Sequence, residues 1–412
     1  MATVKPFYCI RPEKKVASKV AALPYDVYNR KEAKLEVKRE PLSFLKVDRA
    51  ETGFDDSVDI YDKRVYERAR ELLRGMIREG ILISDPEECY YIYELTMEGR
   101  SQTGIVACAS IDDYLNNVIK KHENTREDKE IDRINHVDAC NAQTGPIFLT
   151  YRSKEAINTV VSAAKKEEPL YGFTCADGVT HRVWRISDRE RLAVIKDTFA
   201  GIDSIYIADG HHRAASAVKV GMKRRRENPT YQGNEEFNYF LSVLFPHDQL
   251  MILPYNRTVR DLNGLTKEEF LKRIEENFEV VYLGDQPFAP SKKADFGMYL
   301  DGSWYFLSAG ASLRNVTDPV ACLDVSLLQD YLLGPILGIK DPRTDKRVDF
   351  IGGIRGLKEL ERRVGEDMKV AFSMYPTSIT ELFDVSDAGR LMPPKSTWFE
   401  PKLRSGLFIH EL

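Results

Sequence analysis

The chain of 412 residues carries 60 lysines and arginines against 64 aspartates and glutamates, which gives a formal net charge of −4. This balance argues against a dedicated nucleic-acid-binding protein, because such domains normally have a clear basic excess. With 43% hydrophobic residues, the sequence also contains too much apolar material for a disordered chain. We therefore expect a globular protein of two or three structural units, or of one domain with large insertions.

Membrane insertion and secretion are also disfavoured. No run of residues approaches the roughly 18 consecutive apolar positions of a membrane span, and the first residues, with Pro6, Arg11 and Glu13, do not form the apolar segment of a signal peptide. The six cysteines are scattered without a CxxC pair, which is typical of reduced thiols. We expect a cytosolic protein.

Helices and strands alternate in the first 250 residues. Val65, Ala69, Leu72 and Met76 are spaced four, three and four residues apart, which predicts an amphipathic helix over 62–79. Two β-like runs, 89–95 and 103–109, flank a polar turn and predict a hairpin. The patterns that follow predict helices over 128–140, 154–166, 188–198 and 214–226, and strands over 146–151, 172–175, 181–186, 204–208 and 238–245.

The last third alternates in the same way. The patterns predict helices over 266–278, 327–337 and 356–364, a hairpin that turns at Asp301-Gly302, and a strand over 368–374. The segment 392–402 contains three prolines, from which we expect neither helix nor strand. The block 152–202 has the character of an insertion, and the sequence contains no internal repeat.

The most informative motif is Ala208-Asp209-Gly210-His211-His212-Arg213, between a predicted strand and a predicted helix. Gly210 permits a tight turn, and the N–H groups of a helix start attract an anion, to which His211, His212 and Arg213 add donors. A phosphate group suits such a site. Asp209 is the discordant charge, and its carboxylate makes sense there if it holds a divalent metal or orients a nucleophile. The alternative is a helix cap beside two surface histidines.

A second candidate is Lys121-His122-Glu123-Asn124-Thr125, a polar stretch before a predicted helix. By itself this pattern is typical of a solvated loop. Brought near the Asp209 turn, however, Glu123 could accept a proton from an attacking hydroxyl, with His122 as a neighbour of the phosphate or metal.

The tail supplies a weaker candidate. Lys395, Ser396, Thr397 and Lys402 combine two ammonium groups with two hydroxyls in an irregular segment, a composition that suits a diphosphate. A proline-fixed tail that packs Trp398 and Phe399 explains the same residues equally well. No cysteine and histidine quartet has zinc-ligand spacing, and neither a GxxxxGK[ST] loop nor a protein-kinase motif set is present, so a conventional ATP site has no support.

Seven dispersed motifs in order along the chain resemble those of a widespread prokaryotic domain-of-unknown-function family. They are Leu23-Pro24-Tyr25-Asp26-Val27, Ser43-Phe44-Leu45, Gly104, His122-Glu123-Asn124-Thr125, Gly145-Pro146-Ile147-Phe148-Leu149, Ala208-Asp209-Gly210-His211-His212-Arg213 and Met392-Pro393-Pro394-Lys395-Ser396-Thr397. The fourth and sixth motifs also resemble free serine kinases of the ParB/sulfiredoxin-type fold.

The resemblance implies an α+β protein. Residues 101–250 would form a ParB/sulfiredoxin-like catalytic core, with an insertion at about 152–202, between an N-terminal α/β segment (1–100) and a C-terminal α/β segment (251–412). The insertion and the two long extensions depart from the compact kinase pattern.

The resemblance also implies roles for the site residues. Glu123 would be the general base and Asp209 a catalytic or Mg²⁺-positioning carboxylate. His122, Gly210, His211, His212 and Arg213 would bind the phosphoryl group. The longer architecture resembles pyrophosphate-dependent serine kinases, in which Lys395, Ser396, Thr397 and Lys402 would bind the second phosphate.

The expected activity is then phosphorylation of free L-serine to O-phospho-L-serine, with pyrophosphate as donor and Mg²⁺ as cofactor. An ADP- or ATP-dependent small-molecule kinase, and a regulator that binds a nucleotide or metabolite without chemistry, are the alternatives. A nucleic-acid partner is disfavoured by the charge of −4. If the kinase hypothesis holds, the strand that ends at Ala208 should lie beside Glu123, Glu123 and Asp209 should share one cleft, and the block 152–202 should lie outside the core.

Overall fold

The computed structural model describes residues 1–412 and has the predicted α+β fold. Its strands are, in chain order, β1 (Val4–Lys5), β2 (Cys9–Pro12), β3 (Leu82–Ser84), β4 (Tyr90–Met97), β5 (Arg100–Ser110), β6 (Ile119–Lys120), β7 (Ala142–Gln143), β8 (Ile147–Tyr151), β9 (Tyr171–Thr174), β10 (Thr180–Ile186), β11 (Ile205–Asp209), β12 (Tyr239–Pro246), β13 (Met251–Leu253), β14 (Tyr255–Val259), β15 (Phe278–Gly284), β16 (Asp295–Leu300), β17 (Ser303–Ala309), β18 (Val348–Gly352), β19 (Val370–Met374), β20 (Trp398–Glu400) and β21 (Ile409–Glu411).

Six of the fourteen α-helices begin at a side chain that caps the first turn. The α-helices are α1 (Ala17–Val20), α2 (Arg30–Arg39), α3 (Leu45–Asp48), α4 (Lys63–Arg78), α5 (Ile111–Leu115), α6 (Glu127–Cys140), α7 (Glu155–Ala164), α8 (Arg189–Ala200), α9 (His211–Glu227), α10 (Lys267–Ile274), α11 (Ala311–Arg314), α12 (Asp324–Leu328), α13 (Gly356–Glu366) and α14 (Ile379–Asp387). Asp62 and Asp188, for example, accept hydrogen bonds from the first turns of α4 and α8. None of these helices has the length and apolar character that a membrane span needs.

The chain divides into two compact units. The first comprises residues 1–250 and 401–412, and the second comprises residues 251–400. The predicted segments 1–100 and 101–250 both lie in the first unit, because β1 and β4 pair directly with β5. The predicted segment 251–412 is shared between the two units, since its last twelve residues join the first.

A nine-stranded sheet forms the centre of the first unit. Its order is β6-β11-β8-β12-β5-β4-β10-β9, and β1 also pairs with β5. Two of its pairings are parallel, β6 with β11 and β8 with β12. Apolar side chains of the sheet pack against α7, α8 and α9 in one buried cluster, which includes Ile105, Leu149, Phe199, Ile207 and Ala214.

The block 152–202 is an integral part of this sheet, so the expectation that it lies outside the core is wrong. Strand β10 pairs with β4 over seven residues and carries β9 at the sheet edge. Ile157 of α7 and Ile195 of α8 belong to the same buried cluster as the central strands. The alternating and helical apolar patterns of this block therefore fill the core of the first unit.

The C-terminal tail belongs to a second, four-stranded sheet of the first unit, in the order β3-β2-β21-β7. This sheet borders a second buried cluster, formed with α2, α3 and α4 by residues such as Phe44, Leu45, Leu73, Met76 and Ile409. The tail is therefore held in the first unit by both backbone pairing and apolar burial.

The second unit contains a six-stranded antiparallel sheet, β15-β17-β16-β19-β14-β18, and the pair β13-β20. Three details differ from the sequence prediction. In place of the helix expected over 327–337, α12 ends at Leu328 and is followed by a π-helical turn, Gln329–Leu333. The helix expected over 266–278 ends at Ile274, because Phe278 begins β15 and pairs with Ala309. The segment 392–402 contains β20, so the expectation of no regular element there is wrong: the prolines flank Trp398–Glu400 and do not interrupt it.

Candidate functional site

The two candidate motifs follow two neighbouring parallel strands. In the register of β6 and β11, Ile119 pairs with Ile205 and Lys120 with Tyr206. Because the carboxyl ends of parallel strands meet at the same edge of a sheet, the residues after β6 and those after β11 lie close together. The prediction that the strand ending at Ala208 lies beside the region of Glu123 is therefore confirmed.

The turn after β11 is built around Gly210. Gly210 is the N-cap of α9 with a φ of 95°, a left-handed conformation that favours glycine. The helix begins at His211, three residues earlier than the predicted start at 214. Since Gly210 has no side chain, no N-cap side chain accepts the first N–H groups of this 17-residue helix. The helix start therefore presents N–H groups and a partial positive charge, as an anion site requires.

Arg213 lies against the same turn. A Cβ atom at position 210 would come within 3.0 Å of its Nη2, and one at position 145 within 3.7 Å of its Nη1. The guanidinium also donates a hydrogen bond to the carbonyl of Pro146. Two glycines and one carbonyl thus fix the arginine beside the helix start, and its side chain is only half-buried.

Glu123 and His211 meet at the edge of the sheet. Oε2 of Glu123 lies 3.8 Å from Nδ1 of His211, and the carboxylate is 39% exposed. The carboxylate therefore lies close to the start of α9 and is in part accessible to solvent, while a cleft shared by Glu123 and Asp209 stays a prediction.

The two histidines at the centre of the site are buried and face each other. The rings of His122 and His211 are perpendicular, with centroids 4.4 Å apart, and the residues are 2% and 5% exposed. Nδ1 of His122 and Nε2 of His211 have no hydrogen-bond partner in the protein. Each of these buried nitrogens is therefore a candidate to hydrogen-bond a water molecule or a ligand.

These two rings are neutral near pH 7. Burial lowers the pKa of His122 to about 4, although Asp209 and the carbonyl of Ile207 favour the charged form. Burial and the neighbouring His122 lower the pKa of His211 well below its ordinary value. If the histidines of the motif bind a phosphate, they do so as N–H donors, and the positive charge comes from other residues.

His212 ties the turn to the loop before α6. Its Nε2 accepts a hydrogen bond of 3.0 Å from the backbone N–H of Arg126. The backbone carbonyl of His212 accepts another from Ser216. In this structure His212 therefore holds the segment after Glu123 against α9, a positioning contact that the sequence did not indicate.

Asp209 is paired with a residue of the tail. Nζ of Lys402 lies 2.8 Å from Oδ2 of Asp209, and the two side chains are 19% and 33% exposed. Burial alone would favour the neutral acid, but the charges of Lys402 and Arg213 hold the pKa of Asp209 below its ordinary value. Asp209 is therefore an ionised carboxylate at neutral pH, and the structure brings Lys402 of the predicted tail residues into contact with it.

Lys395, Ser396 and Thr397 lie in the second unit. The hydroxyl of Ser396 donates to the carbonyl of Pro393 at 2.6 Å, and Ser396 is buried. Nζ of Lys395 lies 5.6 Å from the ring centroid of Tyr255. A role for these three residues in diphosphate binding stays a prediction.

The turn offers few side chains that could bind a metal ion. No three side chains of histidine, cysteine, aspartate and glutamate are grouped so that they could hold a metal ion. Asp209 can still supply one carboxylate oxygen, which fits Mg²⁺ if phosphate oxygens and water supply the other ligands. A role for Asp209 in positioning Mg²⁺ stays a prediction.

Sequence reasoning missed a pocket beside Arg213. This pocket is lined by Tyr25, Asp48, Arg133, His136, Thr144 and Arg213, among others. Tyr25 belongs to a motif noted in the sequence, but Asp48 and Arg133 are single charged residues on α3 and α6 with no local signal. A larger cavity of about 260 Å³ lies between α7 and the ends of β8 and β12, and contains no predicted site residue.

Comparison with solved structures finds weak global similarity. A free serine kinase in complex with AMP has a TM-score of 0.33 and 14% identity, over 73% of this chain and 91% of that one. A C-terminally truncated SbnI from Staphylococcus aureus has a TM-score of 0.38 and 11% identity, over 73% and 85%. A conserved hypothetical protein from Pyrococcus furiosus has a TM-score of 0.34 and 13% identity, over 74% and 94%.

No curated protein matches the chain. Residues 4–326 match a protein family described as a protein of unknown function, DUF1015. This range covers most of the 412 residues and both half-motifs of the site. The family resemblance predicted from the seven motifs is thereby confirmed: the chain belongs to the DUF1015 family.

Proposed function

We propose that this protein is a phosphotransferase that phosphorylates the hydroxyl of free L-serine, with pyrophosphate as the phosphoryl donor. The products would be O-phospho-L-serine and inorganic phosphate. The observation that carries the proposal is the convergence of Glu123 with the start of α9, through the parallel pairing of β6 with β11. This convergence joins a carboxylate base to an anion site, the two parts that phosphoryl transfer to a hydroxyl needs.

Each residue then has a task that its surroundings permit. Glu123 accepts the proton of the serine hydroxyl as its oxygen attacks the phosphorus atom. Arg213 and the N–H groups at the start of α9 stabilise the oxygens of the transferred group, and the bond to the leaving phosphate breaks. In this scheme His122 and His211 are neutral N–H donors in a water-poor part of the site.

Asp209 and Lys402 act on the second phosphate. Lys402 supplies a positive charge beside the turn, and Asp209 would hold Mg²⁺ together with oxygens of the donor. When bound, Mg²⁺ neutralises charge on the phosphates. The small size of pyrophosphate agrees with the absence of a nucleotide-binding loop in the sequence.

The alternative, a regulator that binds a phosphorylated metabolite without chemistry, would use the same anion site. Such a protein has no need of a carboxylate next to it, which is why the position of Glu123 favours an enzyme. A nucleotide as donor is the other alternative, in which ADP or ATP replaces pyrophosphate.

The test is a phosphoryl-transfer screen of the purified protein, followed by phosphorus NMR. L-serine is incubated with Mg²⁺ and with pyrophosphate, ADP or ATP in turn. We expect the phosphoserine resonance to grow with pyrophosphate. If phosphoserine forms only with ADP or ATP, the donor is that nucleotide and not pyrophosphate. If no phosphorylated product forms with any donor, the proposed enzymatic activity is contradicted and the binding regulator is the remaining hypothesis.

A further inference from the structure

The pocket beside Arg213 has a charge distribution of its own. It is lined by two guanidinium groups, Arg133 and Arg213, and by one carboxylate, Asp48. Arg133 and Asp48 are buried, at 8% and 4% exposure. Buried charges are costly unless they are paired or meet a charged ligand, so their arrangement indicates what the pocket accepts.

Arg133 is held firmly but only partly satisfied. Its Nε donates to Oδ2 of Asp132 at 2.9 Å, and its Nη2 lies 2.8 Å from the same oxygen in an ion pair. The guanidinium also lies 4.0 Å from the ring centroid of Tyr25. These contacts occupy one side of the fork and leave Nη1 without a hydrogen bond in the protein. A planar, oriented guanidinium with a free N–H group is suited to a carboxylate.

Asp48 is the counterpart of opposite charge. Its Oδ1 accepts a hydrogen bond of 2.7 Å from the hydroxyl of Thr144, and no cation forms an ion pair with it. Oδ2 is thus available to a donor that enters the pocket. His136 does not supply that charge: burial and the nearby Arg133 lower its pKa, and its Nε2 lies 3.1 Å from the carbonyl of Val47.

The charges of the pocket favour a zwitterion over a polyanion. Asp132 compensates the charge of Arg133, while Asp48 would repel a diphosphate placed against it. An α-amino acid carries a carboxylate for Arg133 and an ammonium for Asp48. Its side chain would then be directed toward Arg213, which lines this pocket and also lies against the Gly210 turn.

We propose that this pocket binds the α-carboxylate and α-ammonium groups of a free amino acid, through Arg133 and Asp48 respectively. The inference rests on the proposed function only for the identity of the side chain, a hydroxyl directed at the phosphoryl donor. It assigns the head-group contacts to residues of α3 and α6, which lie outside both half-motifs.

A ligand series on the unchanged protein tests the charges directly. Binding of L-serine, L-alanine, ethanolamine and glycerate is measured by isothermal titration calorimetry, with and without inorganic phosphate. We expect L-alanine to bind within about tenfold of L-serine, and ethanolamine and glycerate at least tenfold more weakly, because each lacks one of the two charges. Equal affinity for all four ligands, or no binding of any amino acid in either buffer, would contradict the proposal that this pocket binds the charged groups of an amino acid.

Two variants assign the contacts. Asp48→Asn retains the acceptor for Thr144 and loses the charge, and Arg133→Gln loses the guanidinium. We expect each to weaken L-alanine binding at least tenfold. Asp113→Asn is the matched control, since Asp113 is also a buried carboxylate of the first unit but does not line the pocket. The affinity of this variant for L-alanine should equal that of the parent protein. Thermal unfolding of all three variants checks that they are folded.

The two proposals fail in different ways. If serine phosphorylation occurs but the KM for serine is the same in the parent, Asp48→Asn and Arg133→Gln proteins, the proposed amino-acid pocket is contradicted and the proposed enzymatic function is supported. If L-alanine binding depends on both residues but no acceptor is phosphorylated by any donor, the amino-acid pocket is supported and the proposed phosphotransferase function is contradicted. L-alanine has no hydroxyl, so its binding is independent of catalysis.

Discussion

The ammonium of Lys402 lies 2.8 Å from the carboxylate of Asp209, although 193 residues separate them in the chain. This contact brings the C-terminal tail to the turn at the start of α9. It also means that Asp209 is an ion-paired carboxylate, unsuited to act as a general base. The exposed Glu123 is the better candidate for that role.

We predict that Lys402→Met raises the pKa of Asp209, because the variant loses one of the two cations that lower it. Titration by carbon-13 NMR of the Asp209 carboxyl measures the change. Since the folded pKa lies below the unfolded value, this pair stabilises the protein above the ordinary pKa of an aspartate, and that stability is lost as the pH falls below it. Both side chains are partly exposed, so we expect a loss of about 1 kcal/mol or less at pH 7. Lys402→Arg should keep the pKa of Asp209 low, because the positive charge is retained. An unchanged pKa of Asp209 in Lys402→Met would contradict the ion pair as its cause.

The Gly210 turn should not tolerate a side chain. In Gly210→Ala the backbone is strained, because a residue with a Cβ atom disfavours a φ of 95°. The new methyl group would also lie 3.0 Å from Nη2 of Arg213 and would displace the guanidinium. We expect a loss of about 1–2 kcal/mol in the free energy of unfolding, measured with guanidinium chloride, and weaker binding of phosphate.

Gly75→Ala is the control for that substitution. Gly75 lies inside α4, and a Cβ atom there meets nothing within 4 Å. Alanine should raise the stability by about 0.5–1 kcal/mol through helix propensity. If both variants changed stability in the same direction, the special conformation of Gly210 would not be the cause.

A buried histidine far from the turn predicts a loss of stability in acid. His181 is fully buried, its Nδ1 lies 2.8 Å from the hydroxyl of Tyr93, and Nε of Arg404 donates to its Nε2 at 3.3 Å. Burial and the charge of Arg404 lower its pKa to about 3. Below the unfolded pKa of about 6.5 the unfolded chain takes up a proton that the folded protein does not, so stability falls by about 1.4 kcal/mol per pH unit until about pH 3.

Unfolding of His181→Gln at pH 6.5 and pH 5 tests this. We expect the variant to lose about 2 kcal/mol less than the parent protein between the two values. Tyr93→Phe removes a neighbour of the ring and keeps the imidazole, so its pH dependence should follow that of the parent. An identical pH dependence in all three proteins would show that His181 is not the group responsible.

Local patterns predicted most of the fold. The spacing of Val65, Ala69 and Met76 gave the α4 helix, and the flanks of the Glu98-Gly99 turn gave the β4-β5 hairpin, because apolar periodicity follows directly from which face is buried. The Asp209-Gly210 turn was also visible, since a strand, a glycine and a helix start are all local features.

The missing parts depend on contacts between distant residues. Strand β6 has only two residues, too few for any pattern, yet its pairing with β11 is what joins the two half-motifs. The pairing of Lys402 with Asp209, and the pocket of Asp48 and Arg133, likewise arise from tertiary packing. Single charged residues on a helix look solvated in the sequence, and only the fold shows that Asp48 and Arg133 are buried together.

Arg213 should affect binding and turnover together. Its guanidinium lies beside the anion site before any reaction begins, so Arg213→Ala removes an attraction to the phosphate in the ground state and in the transition state alike. We expect weaker binding of pyrophosphate, measured by calorimetry, as well as slower transfer. Arg213→Lys should recover part of the binding. Unchanged affinity in Arg213→Ala would place the donor elsewhere.

Glu123 should affect turnover alone, if it is the general base. Glu123→Gln keeps the size and polarity of the side chain but removes its ability to accept a proton, so kcat should fall by about 10²–10⁴ while the affinity for pyrophosphate changes little. Glu127→Gln is the matched control, because Glu127 is an exposed glutamate in the first turn of α6 and should have the activity of the parent. Steady-state kinetics with L-serine and pyrophosphate, followed by phosphate release, measure all three proteins. A Glu123→Gln protein with the turnover of the parent would exclude Glu123 as the base.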